Sequence, residues 1–319
     1  LKGRCIKIRV DGIFEGGGVR GIGHVGAICA LEEEGYEWAR LAGTSAGAIV
    51  ATLLACGYTG KELKEIMDRL DYKNFITKTW LHYIPLIGLG LNILFKNGLY
   101  KNDFEEEWLE SLLSKKGIRY FDDLEEGKLK IIISDISNGK MVVLPDDLPD
   151  YGLSAKDITI AQAVRMSGTI PFFFQPIKLK TPNYNYPILI VDGGILSNFP
   201  IWIFDDHKEW PTFGFRLIDE EINAKPLDAH NPISFYKSIF ITMRQAHDIR
   251  HLTTEVNERT IKIPTGEISS TDFYLTKKEK EALFTNGYQA AKKFLGTWDF
   301  EKYKHNYPPV PNCHKVHSL

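Results

Sequence analysis

With 319 residues, 44% of them hydrophobic and 25% charged, the chain is long enough for one large domain or two ordinary ones and can bury a sizeable core. A net charge of -2 excludes the global basic field that draws nucleic acid, and pairs such as Lys277-Lys278 and Lys292-Lys293 read as solvated helix faces. Cys5, Cys29, Cys56 and Cys313 lie far apart with no C-x-x-C pair, which excludes a disulfide scaffold and points to a reduced, cytoplasmic setting. The chain does not begin with Met, as a fragment or processed chain would not. The apolar run after its basic first residues is broken by Lys7, Arg9 and Asp11, unlike a secretory core.

Ile6 to Phe14 predicts a strand, and His24 to Glu34 a helix closed by Gly35. Trp38 to Leu41 predicts a short second strand that feeds Gly43-Thr44-Ser45-Ala46-Gly47, and Ala48 to Cys56 a small-residue helix ended by Gly57. Residues 60–125 read as a helical insertion. Within it, WLHYIPLIGLGLNILF (80–95) is apolar but interrupted by His82, Pro85, Gly88, Gly90 and Asn92. It is shorter than the roughly 20 apolar residues of a spanning helix. It reads as a buried or interfacial segment whose aromatic start suits peripheral membrane contact.

Further on, Lys130 to Ser134 and Ile188 to Val191 are continuous apolar runs, as in strands buried on both faces. Thr212 to Leu217 and Ile261 to Ile263 predict two more strands. Thr276-Lys277-Lys278-Glu279 is a capping box for a helix that reaches about Leu295. The whole reads as one α/β domain over 1–305 around a mostly parallel sheet, with a loose tail over 306–319.

The first strand runs into Gly16-Gly17-Gly18-Val19-Arg20-Gly21 and then a helix, so the G-x-G-x-x-G template is met. Strand, glycine loop and helix start make an anion site from free backbone N–H groups and the helix dipole. A dinucleotide site would also need an acidic residue at the end of the second strand, about 20 residues on. Here that strand runs into G-T-S-A-G instead. The same loop suits an oxyanion hole: the N–H groups of Gly17 and Gly18 face the oxygen that turns negative when a serine attacks an ester, and Arg20 adds positive charge. One such donor is worth roughly 100- to 1000-fold in rate.

Gly43-x-Ser45-x-Gly47 is the pattern of a serine nucleophile on a strand-to-helix turn, although a serine that merely caps a helix gives the same letters. A nucleophile needs a base, and none of the nine histidines sits in a turn suited to that task. Asp192 follows the run Ile188 to Val191 and precedes Gly193-Gly194, which allow a tight turn. A carboxylate at a buried strand end stands where open α/β sheets assemble their sites. Asp135, Asp146-Asp147 and Asp205-Asp206 compete; the pairs lie in polar loop sequence. At a reference pKa of roughly 3.9 a carboxylate is a weak base, so such a dyad depends on positioning and a dry pocket.

The order G-G-G-x-R-G, G-x-S-x-G and D-G-G resembles the patatin-like phospholipase family. SGTIPFFFQP (167–176) and TGEISSTDFYLTKKEKEALFTNGYQAAKKFL (265–295) extend the likeness over roughly residues 6–295. The resemblance implies a three-layer α/β/α sandwich, a Ser–Asp dyad and hydrolysis of lipid acyl esters with no cofactor or metal. By position it makes Ser45 the nucleophile and Asp192 the base, with Gly16, Gly17, Gly18, Arg20 and Gly21 as the oxyanion hole. Gly43 and Gly47 shape the nucleophile turn, and Gly193 and Gly194 the aspartate turn. Gly168 and Thr169 stand where many members have other small residues, a mild departure that touches pocket shape more than chemistry.

The substrate class implied is phospholipid or lysophospholipid, with triacylglycerol lipase or general carboxylesterase as the alternative. A nucleotide- or lipid-binding pseudoenzyme is the reading from a different class. His247 and His251, at i and i+4 around Asp248, lack the Glu and the third ligand of a zinc protease. Phe172-Phe173-Phe174 reads as core or acyl-pocket wall.

Overall fold

The protein's computed structural model describes residues 8–76, 97–206, 209–218 and 253–307, with a few single positions between 235 and 243. The apolar stretch 80–95, His247, His251 and tail residues 308–319 lie outside the described residues.

The chain opens with β1 (Ile8–Phe14), α1 (Ile22–Glu33), β2 (Tyr36–Thr44), α2 (Ala46–Ala55) and α3 (Gly60–Arg69). The 60–125 insertion also carries β3 (Gly98–Tyr100) beside α4 (Asp103–Leu113), so it is not purely helical. Then come β4 (Leu129–Asp135), β5 (Lys140–Leu144), α5 (Ile160–Ser167), β6 (Phe172–Phe174), β7 (Ile177–Leu179) and β8 (Ile188–Asp192). The last elements are β9 (Thr212–Ile218), α6 (Thr254–Glu258), β10 (Thr260–Pro264), α7 (Lys277–Leu295) and α8 (Phe300–Asn306). The expected capping box opens α7, with Thr276 and Glu279 bonded to each other's backbone N–H. α3 and α5 open the same way, from Thr59 and Thr159.

An eight-stranded sheet forms the middle layer. β10, β9, β1, β2 and β4 run parallel, side by side. Alternation along β1 sends Val10 and Phe14 into the larger core and Ile13 into a smaller one on the opposite face. The larger core is filled by α1, α2, α5 and α7, the smaller by Phe199, Ile201, Phe204 and Val256. The result is the three-layer α/β/α sandwich, its sheet mixed but mostly parallel.

The register of β4 decides where the site lies. Ile131 to Asp135 pair with antiparallel β5 along one edge. The other edge takes β2 up to Thr44 opposite Ile132, then antiparallel β8 from Asp192 opposite Ile133. Two strands of opposite direction therefore meet head on along one edge of a third.

β2 runs three residues past the expected Leu41 because Thr44 still pairs with the sheet. β8 is antiparallel, so Asp192 reaches the site from the direction opposite to that of the parallel strands. A smaller parallel pair, β3 with β6, ties the insertion to the segment after α5. There Phe174 is buried while Phe172 is exposed, so the Phe172–Phe174 run is core at one end only.

Candidate active site

Ser45 stands where β2 ends and α2 begins, 6% exposed, with φ 54° and ψ -125°. A non-glycine residue there is strained by about 1–3 kcal/mol, and surrounding structure must hold it. That support is visible. The Ser45 N–H donates to Ser167 Oγ at 2.8 Å, and Ser167 Oγ donates to Ile132 O at 2.6 Å. Ser167 thus fills the gap where β2 has stopped and β8 has not begun.

Gly43 and Gly47 have one cause between them. A Cβ on Gly43 would overlap the Gly47 carbonyl, and a Cβ on Gly47 would overlap the carbonyl of Phe14. The sharp turn brings three stretches of backbone into contact, and side chains at those two positions would part them.

Asp192 is 2% exposed. Its Oδ1 accepts the Gly194 N–H at 2.7 Å, and its own N–H donates to Thr169 O at 2.8 Å. A Cβ on Gly193 would overlap the carbonyl of Ile132, the same group that Ser167 holds. Asp135, the competing acid, is fully buried at the far end of β4 and is occupied as an anchor. It accepts from Ser137 N, both nitrogens of Asn138 and the Tyr151 hydroxyl. Asp146 pairs with Lys130, Asp205 with Arg259 and Asp206 with Arg40, all away from this turn.

The glycine loop lies against the serine turn. A Cβ on Gly16 would come within 3.2 Å of Ser45 Cβ, and one on Gly21 within 3.2 Å of Ala46 Cβ. Gly16 is held on both sides by Asn198, whose carbonyl accepts its N–H at 3.1 Å and whose Nδ2 donates to its carbonyl at 3.2 Å. The same Nδ2 reaches Glu15 Oε1 at 3.0 Å, and Glu15 Oε2 takes the Leu217 N–H at 2.6 Å. The stretch after Asp192 is thereby fastened to the glycine loop.

Among the described residues no acceptor takes the N–H of Gly17 or Gly18. Gly18 has φ 56°, and a Cβ there would overlap the Ser270 carbonyl, so only glycine fits. Arg20 is buried, with its Nε donating to Gly17 O at 3.4 Å, and so braces the loop.

Among the described residues His24 is the histidine near this turn. Its Nε2 lies 2.9 Å from Glu15 O, and Phe14 and Phe215 meet its ring edge-on. Burial pushes it down to about 4, so it stays neutral in ordinary solution. It supports the loop from behind.

Beside Gly18, Gly21 and Ala46 opens a small cavity, open to solvent on one side and also lined by Ile49, Val50, Met67 and Trp108. Its wall is apolar almost throughout. Three contributors escaped sequence reasoning. Ser167 is the last residue of α5, Asn198 is a polar residue in a loop, and Glu105 lies in an acidic helix start; only the fold brings them to Ser45, Gly16 and Asp192.

The family model described as patatin-like phospholipase matches residues 12–205. An uncharacterized protein of Bacillus subtilis, YqhO, is 42% identical over 292 residues, which are 91% of this chain and 99% of that one. A probable lipid hydrolase, 463L, of Invertebrate iridescent virus 6 is 27% identical over 201 residues, 59% of this chain and 61% of that one. Among solved structures VipD from Legionella pneumophila has the same fold. It shares 19% identity at a TM-score of 0.55, over 91% of this chain and 67% of that one.

Proposed function

The chain belongs to the patatin-like phospholipase family, a family of lipid hydrolases, and we propose that it cleaves fatty-acyl esters of phospholipids or lysophospholipids through Ser45 and Asp192. Ser45 Oγ attacks the ester carbonyl as its proton passes to Asp192. The carbonyl oxygen turns negative against the N–H groups of Gly17 and Gly18. Collapse of the tetrahedral adduct expels the lipid alcohol, which takes the proton from Asp192 and leaves an acyl group on Ser45. Water attacks next, giving a proton to Asp192; the second adduct collapses as that proton passes to Ser45 Oγ, and the fatty acid departs.

The observation that carries this reading is the head-on meeting of β2 and β8, with Thr44 and Asp192 facing consecutive residues of β4 and Ser45 in a strained turn between them. The apolar cavity beside Ala46 supports an acyl chain as the group bound. Among the described residues no helix is long and apolar enough to cross a membrane. Residues 80–95, with Trp80 and Tyr83 at their start, carry our proposal for peripheral contact with a lipid surface.

The test is covalent. A fluorophosphonate should add to the protein once, on Ser45 by peptide mass, and fail on Ser45→Ala and Asp192→Asn. Release of fatty acid from phosphatidylcholine or lysophosphatidylcholine vesicles should follow the same variants. A histidine variant that is folded yet unlabelled would replace the dyad by a triad. Turnover of triacylglycerol alone would move the substrate class.

A further inference from the structure

The dyad leaves a second buried carboxyl beside Asp192 without a task. Glu105, in the first turn of α4, is only 4% exposed. Its carboxyl rests on Gly168: a Cβ there would stand 2.7 Å from Oε2 and 2.9 Å from Oε1. The next residue is Thr169, whose carbonyl holds the Asp192 N–H. Glu105 therefore lies one residue from the peptide that fixes Asp192, and a Cβ on Gly168 would have to displace its carboxyl.

Few groups face Glu105 among the described residues. Asn102, before α4, donates Nδ2 to its Oε2. Asp192 acts on it from the end of β8 and Arg165 from α5. Arg165 in turn pairs with Asp103 at 2.6 Å and Glu106 at 2.8 Å on the same helix as Glu105. The turn Tyr72–Phe75, packed on α4, presents Phe75 to Phe104 and Trp108 and leaves Lys73 exposed.

We propose, resting on the reading of Ser45 and Asp192 given above, that Glu105 is a positioning residue acting through Asp192: the two carboxyls form a pair, and the state of Glu105 sets how strongly Asp192 draws the Ser45 proton. Two carboxylates in one dry pocket repel, so ionising one raises the proton affinity of the other. Burial pushes Glu105 up to about 8, with Asn102 and Arg165 opposing the rise and the Asp192 charge adding to it.

In neutral solution Glu105 keeps its proton, and Asp192 carries the pair's negative charge. Above about pH 8 Glu105 is ionised as well. Proton transfer from Ser45 to Asp192 then relieves a repulsion, because the negative charge moves from Asp192 to the substrate oxygen at Gly17 and Gly18. Glu105 exchanges no proton with serine or substrate.

The experiment is the rate constant for fluorophosphonate labelling of Ser45 against pH. Wild type should gain about tenfold between pH 6.5 and 9.5, half of it near pH 8. In Glu105→Gln the ratio of the two limits should fall to near one. A merely structural Glu105 would scale the rate equally at every pH, so a step that persists in Glu105→Gln overturns the proposal.

Arg165→Gln removes the cation that favours ionised Glu105, and its midpoint should move above that of wild type. This variant decides the matter if Glu105→Gln does not fold, and an unmoved midpoint refutes the pair. Asp192→Asn should abolish labelling throughout the range. Labelling that survives it sinks the dyad itself, and the pair with it.

Discussion

Ser167 holds Ser45 by its backbone: Oγ accepts the Ser45 N–H at 2.8 Å while giving its own proton to Ile132 O at 2.6 Å. One hydroxyl satisfies two peptide groups that the end of β2 leaves over, and does so beneath the candidate nucleophile. Ser167→Ala strands both groups in a fully buried place. Each costs about 1–3 kcal/mol when left without a partner. The variant should lose about 2 kcal/mol in urea denaturation, and its labelling rate should fall about tenfold as the turn loosens. Wild-type values for both would show that the bridge is idle.

The strain at Ser45 makes a second, opposite prediction. With φ 54° and ψ -125° the backbone sits where glycine is at ease and alanine is not. Ser45→Gly and Ser45→Ala should both lose labelling. The glycine variant should nevertheless be the more stable by about 1 kcal/mol, since it releases strain that alanine keeps. Equal melting temperatures would mean that the turn is not strained in solution.

Much of this site is legible in the letters, because its constraints are local. Gly16 to Gly21 and Gly43 to Gly47 are glycine-rich where backbones touch, and a few residues of spacing record those contacts. Strand direction is different. Ile188 to Val191 is apolar whichever way it runs, so nothing in it tells that β8 lies antiparallel to β4 and meets β2 head on. β6 and β7 are three residues each and half exposed, too short for a period to show. Ser167 lies 122 positions from Ser45. Glu105 sits in Asp103-Phe104-Glu105-Glu106-Glu107, which reads as a solvated acidic start. Its burial and its contact with Gly168, at another helix end, show that one of those carboxyls points inward.

The cavity beside Ala46 predicts how the acyl chain is measured. Ile49 and Val50 lie one turn into α2 from Ala46, with Met67 and Trp108 on facing elements. Val50→Phe adds bulk inside it and should exclude long chains while sparing short ones. The ratio of kcat/KM for the nitrophenyl dodecanoate to that for the butanoate should fall about tenfold. An unchanged ratio would place the chain elsewhere.

His24 supplies the last prediction, through its titration. The ring is fully buried; its Nε2 serves the Glu15 carbonyl and its Nδ1 has no partner among the described residues. Burial pushes it down from 6.5 to about 4, and the Glu15 carbonyl opposes the fall. The native state thus refuses a proton that the unfolded chain accepts between those values. Stability rises with pH wherever the unfolded state binds more protons. The contribution of His24 is therefore whole above pH 6.5 and is lost progressively as pH falls towards about 4. A shift of that size corresponds to about 3 kcal/mol. Carboxylates add slopes of their own, so the quantity to read is the gap between wild type and His24→Gln in urea unfolding. That gap should close by about 2–3 kcal/mol between pH 7 and pH 4.5. Nitrogen-15 spectra of the native imidazole should show one neutral tautomer, with the proton on Nε2, throughout the upper part of that range. A native His24 that titrates near 6.5 would mean that water reaches the ring, and the glycine loop would then lack the rigid backing described for it.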